Sequence, residues 1–204
     1  MSRPRTHLVI ILASVVVVGL VVAFAVTSSL SLPSIPISDD GIGSYSCQPV
    51  DINRVNAGFS IKQPAAQSMP PGYTLQVAQD QQGRIVLYYN DNSLACPLPL
   101  DKITQSIENG TIAVAVDRAS GSGYANSGAF QNGELQYFKS KDANAADVQA
   151  IDVGGYKGVG ASHVPSQQTS VLFFYHETDQ TIYGIYGNLT MDELTGIAST
   201  IPHS

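Results

Sequence analysis

Residues 170–201 read SVLFFYHETDQTIYGIYGNLTMDELTGIASTI: two β-rich runs, then an amphipathic helix. SVLFFY (170–175) and TIYGIY (181–186) are built from the β-branched and aromatic residues that suit strands. The polar stretch His176-Glu177-Thr178-Asp179-Gln180 between them predicts a hairpin turn. Asn188-Leu189 then leads to Thr190, with Glu193 three positions on, the pattern of a capping box. Behind it Leu194, Ile197, Ala198 and Ile201 fall on one helical stripe, and Pro202 stops the helix. A hairpin feeding an amphipathic helix predicts an α+β domain, a mainly antiparallel sheet with a C-terminal helix.

Further hairpins lie upstream. Residues 147–152 and 156–162 flank Gly154-Gly155, and residues 73–78 and 84–89 flank a turn-like stretch at 80–83. In the earlier run Tyr73, Leu75 and Val77 share one face, and Thr74, Gln76 and Ala78 the other. Residues 111–116, TIAVAV, add a strand. Before it, Asp101 is placed to cap a short helix with Ile103 and Ile107 inward, ended by Asn109-Gly110. Residues 119–131, full of Gly, Ser and Ala, read as a mobile surface loop, 134–138 as a strand and 139–146 as loop. The expected core is Leu75, Val77, Ile85, Leu87, Val114, Val116, Ile151, Leu172, Phe174, Ile185 and the helix stripe, on a half-buried sheet.

Ahead of this domain, residues 8–26, LVIILASVVVVGLVVAFAV, carry no charge and no amide. A helix of that length reaches about 28 Å, close to the bilayer's hydrocarbon thickness. Arg3 and Arg5 precede it, and no Lys or Arg follows until Arg54. That asymmetry predicts a cytoplasmic N-terminus and an extracytoplasmic bulk. A cleaved secretory signal competes, since Ala23-Phe24-Ala25 resembles a processing site; the run, however, is longer than a signal core and continues through that point. The layout is then a cytoplasmic N-terminus (1–7), a transmembrane anchor (8–26), a Ser/Pro-rich tether (27–46) and an extracytoplasmic α+β domain (47–204).

Arg3 and Arg5 aside, 8 basic residues face 16 acidic ones, a formal −8 beyond the anchor. This argues against nucleic acid and anionic lipid head groups as partners. Cys47 and Cys96 are the only cysteines, and in an oxidising compartment they are most simply a disulfide; two buried thiols are the alternative.

Residues 70–201 resemble an uncharacterised family of membrane-anchored extracytoplasmic domains in bacteria and archaea, distantly similar to the LolA and RseB sheets. The resemblance is carried by Pro71-Gly72-Tyr73, Val86-Leu87-Tyr88-Tyr89, Val153-Gly154-Gly155-Tyr156-Lys157-Gly158, and residues 183–190 (YGIYGNLT) running into Met191-Asp192-Glu193-Leu194. Such relatives carry a Trp in the strand matched by residues 170–175, and this chain has none. The resemblance implies an anchored sensory or binding domain and no particular reaction.

Catalytic signatures do not emerge: the sequence holds no G-x-S-x-G, S-x-x-K or H-E-x-x-H. His163, His176, Glu177 and Asp179 are the candidate metal ligands, set against the plainer reading of a solvated turn tip. Residues 154–160 are glycine-rich, but strand patterns on both sides predict a hairpin rather than a phosphate loop. Tyr88, Tyr89, Tyr175, Tyr183 and Tyr186 are expected as half-buried strand residues with hydroxyls at the edge, or else as a face for a ligand or subunit. Asn109 and Asn188 open sequons at predicted turns.

The expectation is a non-catalytic interaction or sensory domain on the outer membrane face, with no cofactor. The alternatives are a carrier or sensor of a lipid or other apolar ligand, an accessory subunit docking on another membrane or surface protein, and a metal-dependent enzyme. The carrier reading predicts an apolar cavity of roughly several hundred Å³ between sheet and helix. The enzyme reading predicts that His163 and His176 converge.

Overall fold

The computed structural model describes Ile52, Leu98 and residues 58–81, 84–96, 102–141, 148–162 and 169–203. Its strands are β1 (Thr74–Gln81), β2 (Arg84–Asn90), β3 (Ile112–Arg118), β4 (Val148–Val153), β5 (Tyr156–Ala161), β6 (Ser170–His176) and β7 (Thr181–Gly187). They form one 7-stranded sheet in the order β1-β2-β3-β7-β6-β5-β4. Every neighbouring pair is antiparallel. Two meanders, β1 to β3 and β4 to β7, are thus zipped together along β3 and β7. The helices are α1 (Ile103–Glu108), α2 (Ser127–Lys141) and α3 (Met191–Ala198). The α+β architecture and the C-terminal helix agree with the sequence expectation.

Side-chain alternation divides the sheet into two apolar faces. On one, Ile85, Leu87, Val114, Val116, Leu172, Phe174 and Ile185 pack with Met191, Leu194, Ile197, Ala198 and Ile201 of α3 and its C-terminal extension. On the other, Val86, Tyr88, Ala113, Ala115, Val171 and Tyr186 pack with Ile103 and Ile107 of α1. Phe130 of α2 joins Tyr175 and Ala119 further along that second face. The sheet is therefore covered on both sides, not half-buried as expected. The near-continuous burial of β2 and β7 is what a strand with two covered faces requires.

Part of the cover on the second face comes from a helix the sequence did not announce. Residues 127–141 are α2, replacing the expected loop and the expected strand at 134–138. Two interior glycines, Gly128 and Gly133, and few aliphatic residues mask its periodicity. A local cap and contacts with distant residues hold it. Asn126 Oδ1 accepts the Ala129 N–H at 2.9 Å, Glu177 Oε1 accepts the Ser127 N–H at 2.8 Å, and Gln131 Nε2 donates to the carbonyls of Ile151 and Gly158.

Smaller differences have local causes. Leu75 pairs with Tyr89 while Val77 pairs with Tyr88, so Gln76 is the extra residue of a β-bulge. Leu75 then packs on the α3 face and Val77 on the α1 face, instead of sharing one. The N-cap of α1 is Lys102, whose side chain makes no capping bond, and Asp101 lies outside the described residues. The β4–β5 turn is as expected, with Gly154 at φ 56° and Gly155 at φ 98°, the left-handed pair a tight hairpin turn needs. At α3 the capping box is complete, each of Thr190 and Glu193 bonding the other's backbone N–H. Among the described residues no helix is long and apolar enough to cross a membrane. The expected anchor at 8–26, the tether at 27–46 and Cys47 lie outside them.

Candidate functional site

The second sheet face carries a depression where its residues are smallest. Ala115 of β3 and Gly184 of β7 are cross-strand partners there. A Cβ at Gly184 would stand 2.9 Å from the Phe173 ring and 3.1 Å from the Tyr186 ring, so the missing side chain is what lets those rings close in. One helix stripe of α2 forms the wall: Phe130, Glu134, Tyr137 and Phe138, spaced to fall on one side. Tyr124 and Ser122, from the segment ahead of α2, close one side, and Arg84 and Asp117 sit at the strand ends. The open-sided cavity measures about 410 Å³.

Its lining is aromatic, with Tyr124, Phe130, Tyr137, Phe138, Phe173 and Tyr186 contributing rings. Phe138 lies 6.2 Å from Phe173, which meets Tyr186 edge-on at 5.6 Å. Three charged groups interrupt the apolar wall. Arg84 Nε donates to Asp117 Oδ2 at 2.6 Å, a pair that neutralises itself. Glu134 Oε1 accepts the Tyr124 hydroxyl at 2.8 Å. Burial raises the Glu134 carboxyl above the usual carboxylate range, against the hydrogen bond from Tyr124. Burial and then Glu134 push the Tyr124 phenol up to about 12. Among the described residues the buried Tyr186 hydroxyl has no hydrogen-bond partner, and burial also raises its phenol.

No protein-family model matches the chain, and no curated protein or solved structure matches it.

The candidate metal ligands do not assemble. His176 is fully buried at the end of β6, not solvated at a turn tip. Its Nε2 lies 2.9 Å from the Pro202 carbonyl, so that nitrogen carries the proton. Nδ1 faces Asp179 Oδ2 at 3.2 Å, and Lys62 Nζ approaches the same oxygen at 2.8 Å. Glu177 turns away to α2, where both its bonds with Ser127 hold its carboxyl below the usual range. His163 lies outside the described residues. Among the described residues no group of three or more His, Cys, Asp or Glu gathers around a point. The glycine-rich stretch at 154–160 is the β4–β5 hairpin, flanked by strands on both sides.

The tyrosines also differ from expectation. Tyr88, Tyr89, Tyr175, Tyr183 and Tyr186 are all buried. Tyr175 bonds Gln180, Tyr183 accepts the Lys62 N–H, and only Tyr186 joins the cavity lining. Asn109 and Asn188 are exposed, each beside a helix end. Cys96 is half-buried. Most of the cavity wall escaped the sequence reading because it lies in the stretch taken for loop and strand. The spacing Phe130, Glu134, Tyr137, Phe138 behind Asn126 was the available signal.

Proposed function

We propose that this is a non-catalytic binding domain whose cavity takes a small, mostly apolar ligand. The observation that supports it is the aromatic cavity of about 410 Å³ between the sheet and α2, within the range of small-molecule sites. Binding fits its chemistry better than catalysis: Arg84 is paired with Asp117, and Glu134 is held by Tyr124. The domain is carried outside the cytoplasm by the apolar span at 8–26, retained by Arg3 and Arg5 on the inner side. Cys47 and Cys96 form a disulfide there. The likeness to anchored sheet domains of the LolA and RseB kind points the same way, as an analogy of fold.

The test uses the full chain in lipid nanodiscs with the Ile182 methyl labelled for NMR, since Ile182 lines the cavity. Benzyl alcohol, a small neutral aromatic, is expected to shift that methyl saturably. Ala115→Phe, which projects a ring from the floor, is expected to weaken the response at least about tenfold, by excluded volume. An Ile182 signal that never responds in the parent protein overturns the reading.

A further inference from the structure

Charge within the cavity narrows the ligand class. Of the three charged groups that line it, Arg84 and Asp117 cancel, and Glu134 is left with a neutral phenol as its hydrogen-bond partner. Among the described residues the one cation in the cavity lining is Arg84, bonded to Asp117, and the ring beside Glu134 on α2 is Tyr137, another neutral phenol. A carboxylate so placed is poorly solvated, which is the reason its proton is held too tightly. Six of the lining residues are aromatic, and aromatic rings carry negative electrostatic potential on their faces. Carboxylate and ring faces together favour one kind of guest, a positively charged group with an apolar body.

The competing guests fit less well. An anion would meet Glu134 and Asp117, and the guanidinium that could receive it is already bonded to Asp117. A neutral apolar guest would fill the volume but leave Glu134 without a counter-charge. The formal −8 of the chain beyond its apolar span also raises the local concentration of cations.

Resting on the reading of the cavity as a ligand site, we infer that its ligand is an amphiphilic organic cation: one amine or quaternary ammonium beside Glu134, and an apolar or aromatic body over Ala115, Gly184 and Phe173. Glu134 is the residue that selects the charge, and Tyr124 positions it.

The experiment compares three probes that share a phenyl group and differ in charge. Benzyltrimethylammonium, benzyl alcohol and phenylacetate are titrated into the full chain in neutral-lipid nanodiscs, read at the Ile182 methyl and by calorimetry. The cation is expected to bind about tenfold more tightly than the alcohol, and phenylacetate most weakly, in keeping with ion-pair and cation–π energies in a desolvated site. Glu134→Gln keeps an acceptor for Tyr124 and is expected to bring the cation-to-alcohol affinity ratio to about one. Circular dichroism confirms that the variant folds. Equal binding of cation and alcohol, a preference for phenylacetate, or an unchanged ratio in Glu134→Gln overturns the cation inference while the cavity reading stands. Absence of any response to all three probes overturns both.

Discussion

His176 shows how one buried ring sets a pH limit. Burial chiefly, with Lys62 and His203 adding to it, lowers its proton affinity below that of an ordinary histidine. The unfolded chain therefore binds more protons below about pH 6.5. The stability tied to neutral His176 is complete above that pH and is lost as pH falls toward the folded value. The thermal midpoint is expected to decline from about pH 7 to 5.5, more steeply than in His176→Asn. Lys62→Met, which removes a like charge and frees Asp179, is expected to raise the His176 pKa in an NMR titration. Two glycines of β5 make a second contrast at this scale. A Cβ at Gly158 would lie 2.4 Å from the Phe173 carbonyl oxygen, whereas one at Gly160 would meet the Met191 sulfur at 2.5 Å. Backbone cannot yield and a thioether can, so Gly158→Ala is expected to cost more than Gly160→Ala, about 3 against 1 kcal/mol in urea unfolding.

Among the elements, α2 and α3 are held by opposite means. α3 carries its own instructions, a capping box and a clean apolar stripe with Met191, Leu194, Ile197 and Ala198 buried. Thr190→Ala is expected to destabilise the domain by about 1 kcal/mol in denaturant unfolding, the usual worth of a cap. α2 depends on partners elsewhere in the chain: Glu177 at its start and the carbonyls of Ile151 and Gly158 at Gln131. Gln131→Ala leaves both carbonyls short of a donor, at a cost of about 1–3 kcal/mol. Hydrogen exchange is expected to speed up in α2 well before it does in β6 or β7. Since α2 is the cavity wall, the same variant is expected to weaken probe binding. These two helices explain what the sequence disclosed. α3 was readable because local signals agree, and α2 was not because its glycines and polar residues obscure a stripe that only the sheet beneath makes stable.

For the molecule as a whole, the join between two meanders at β3 and β7 places Ala115 opposite Gly184 and so creates the cavity floor. The proposed link between Cys47 and Cys96 ties the N-terminal approach to the segment after β2, closing a loop of about 50 residues. Reduction is expected to lower stability by about 4 kcal/mol on the chain-entropy account, with non-reducing peptide mapping confirming the bond. Sequence alone was enough for the seven strand runs other than their exact ends, for three hairpins among them and for the C-terminal helix, because alternation, turn glycines and caps act within a few residues; it also suggested a strand at 134–138, where the chain is helical. The bulge at Gln76, the burial of His176, the second covered face and the cavity depend on residues far apart in the chain, such as Glu177 reaching Ser127 and Gly184 meeting Ala115. Such contacts leave no periodic trace along the chain, since their partners are chosen by packing in three dimensions rather than by neighbours in order.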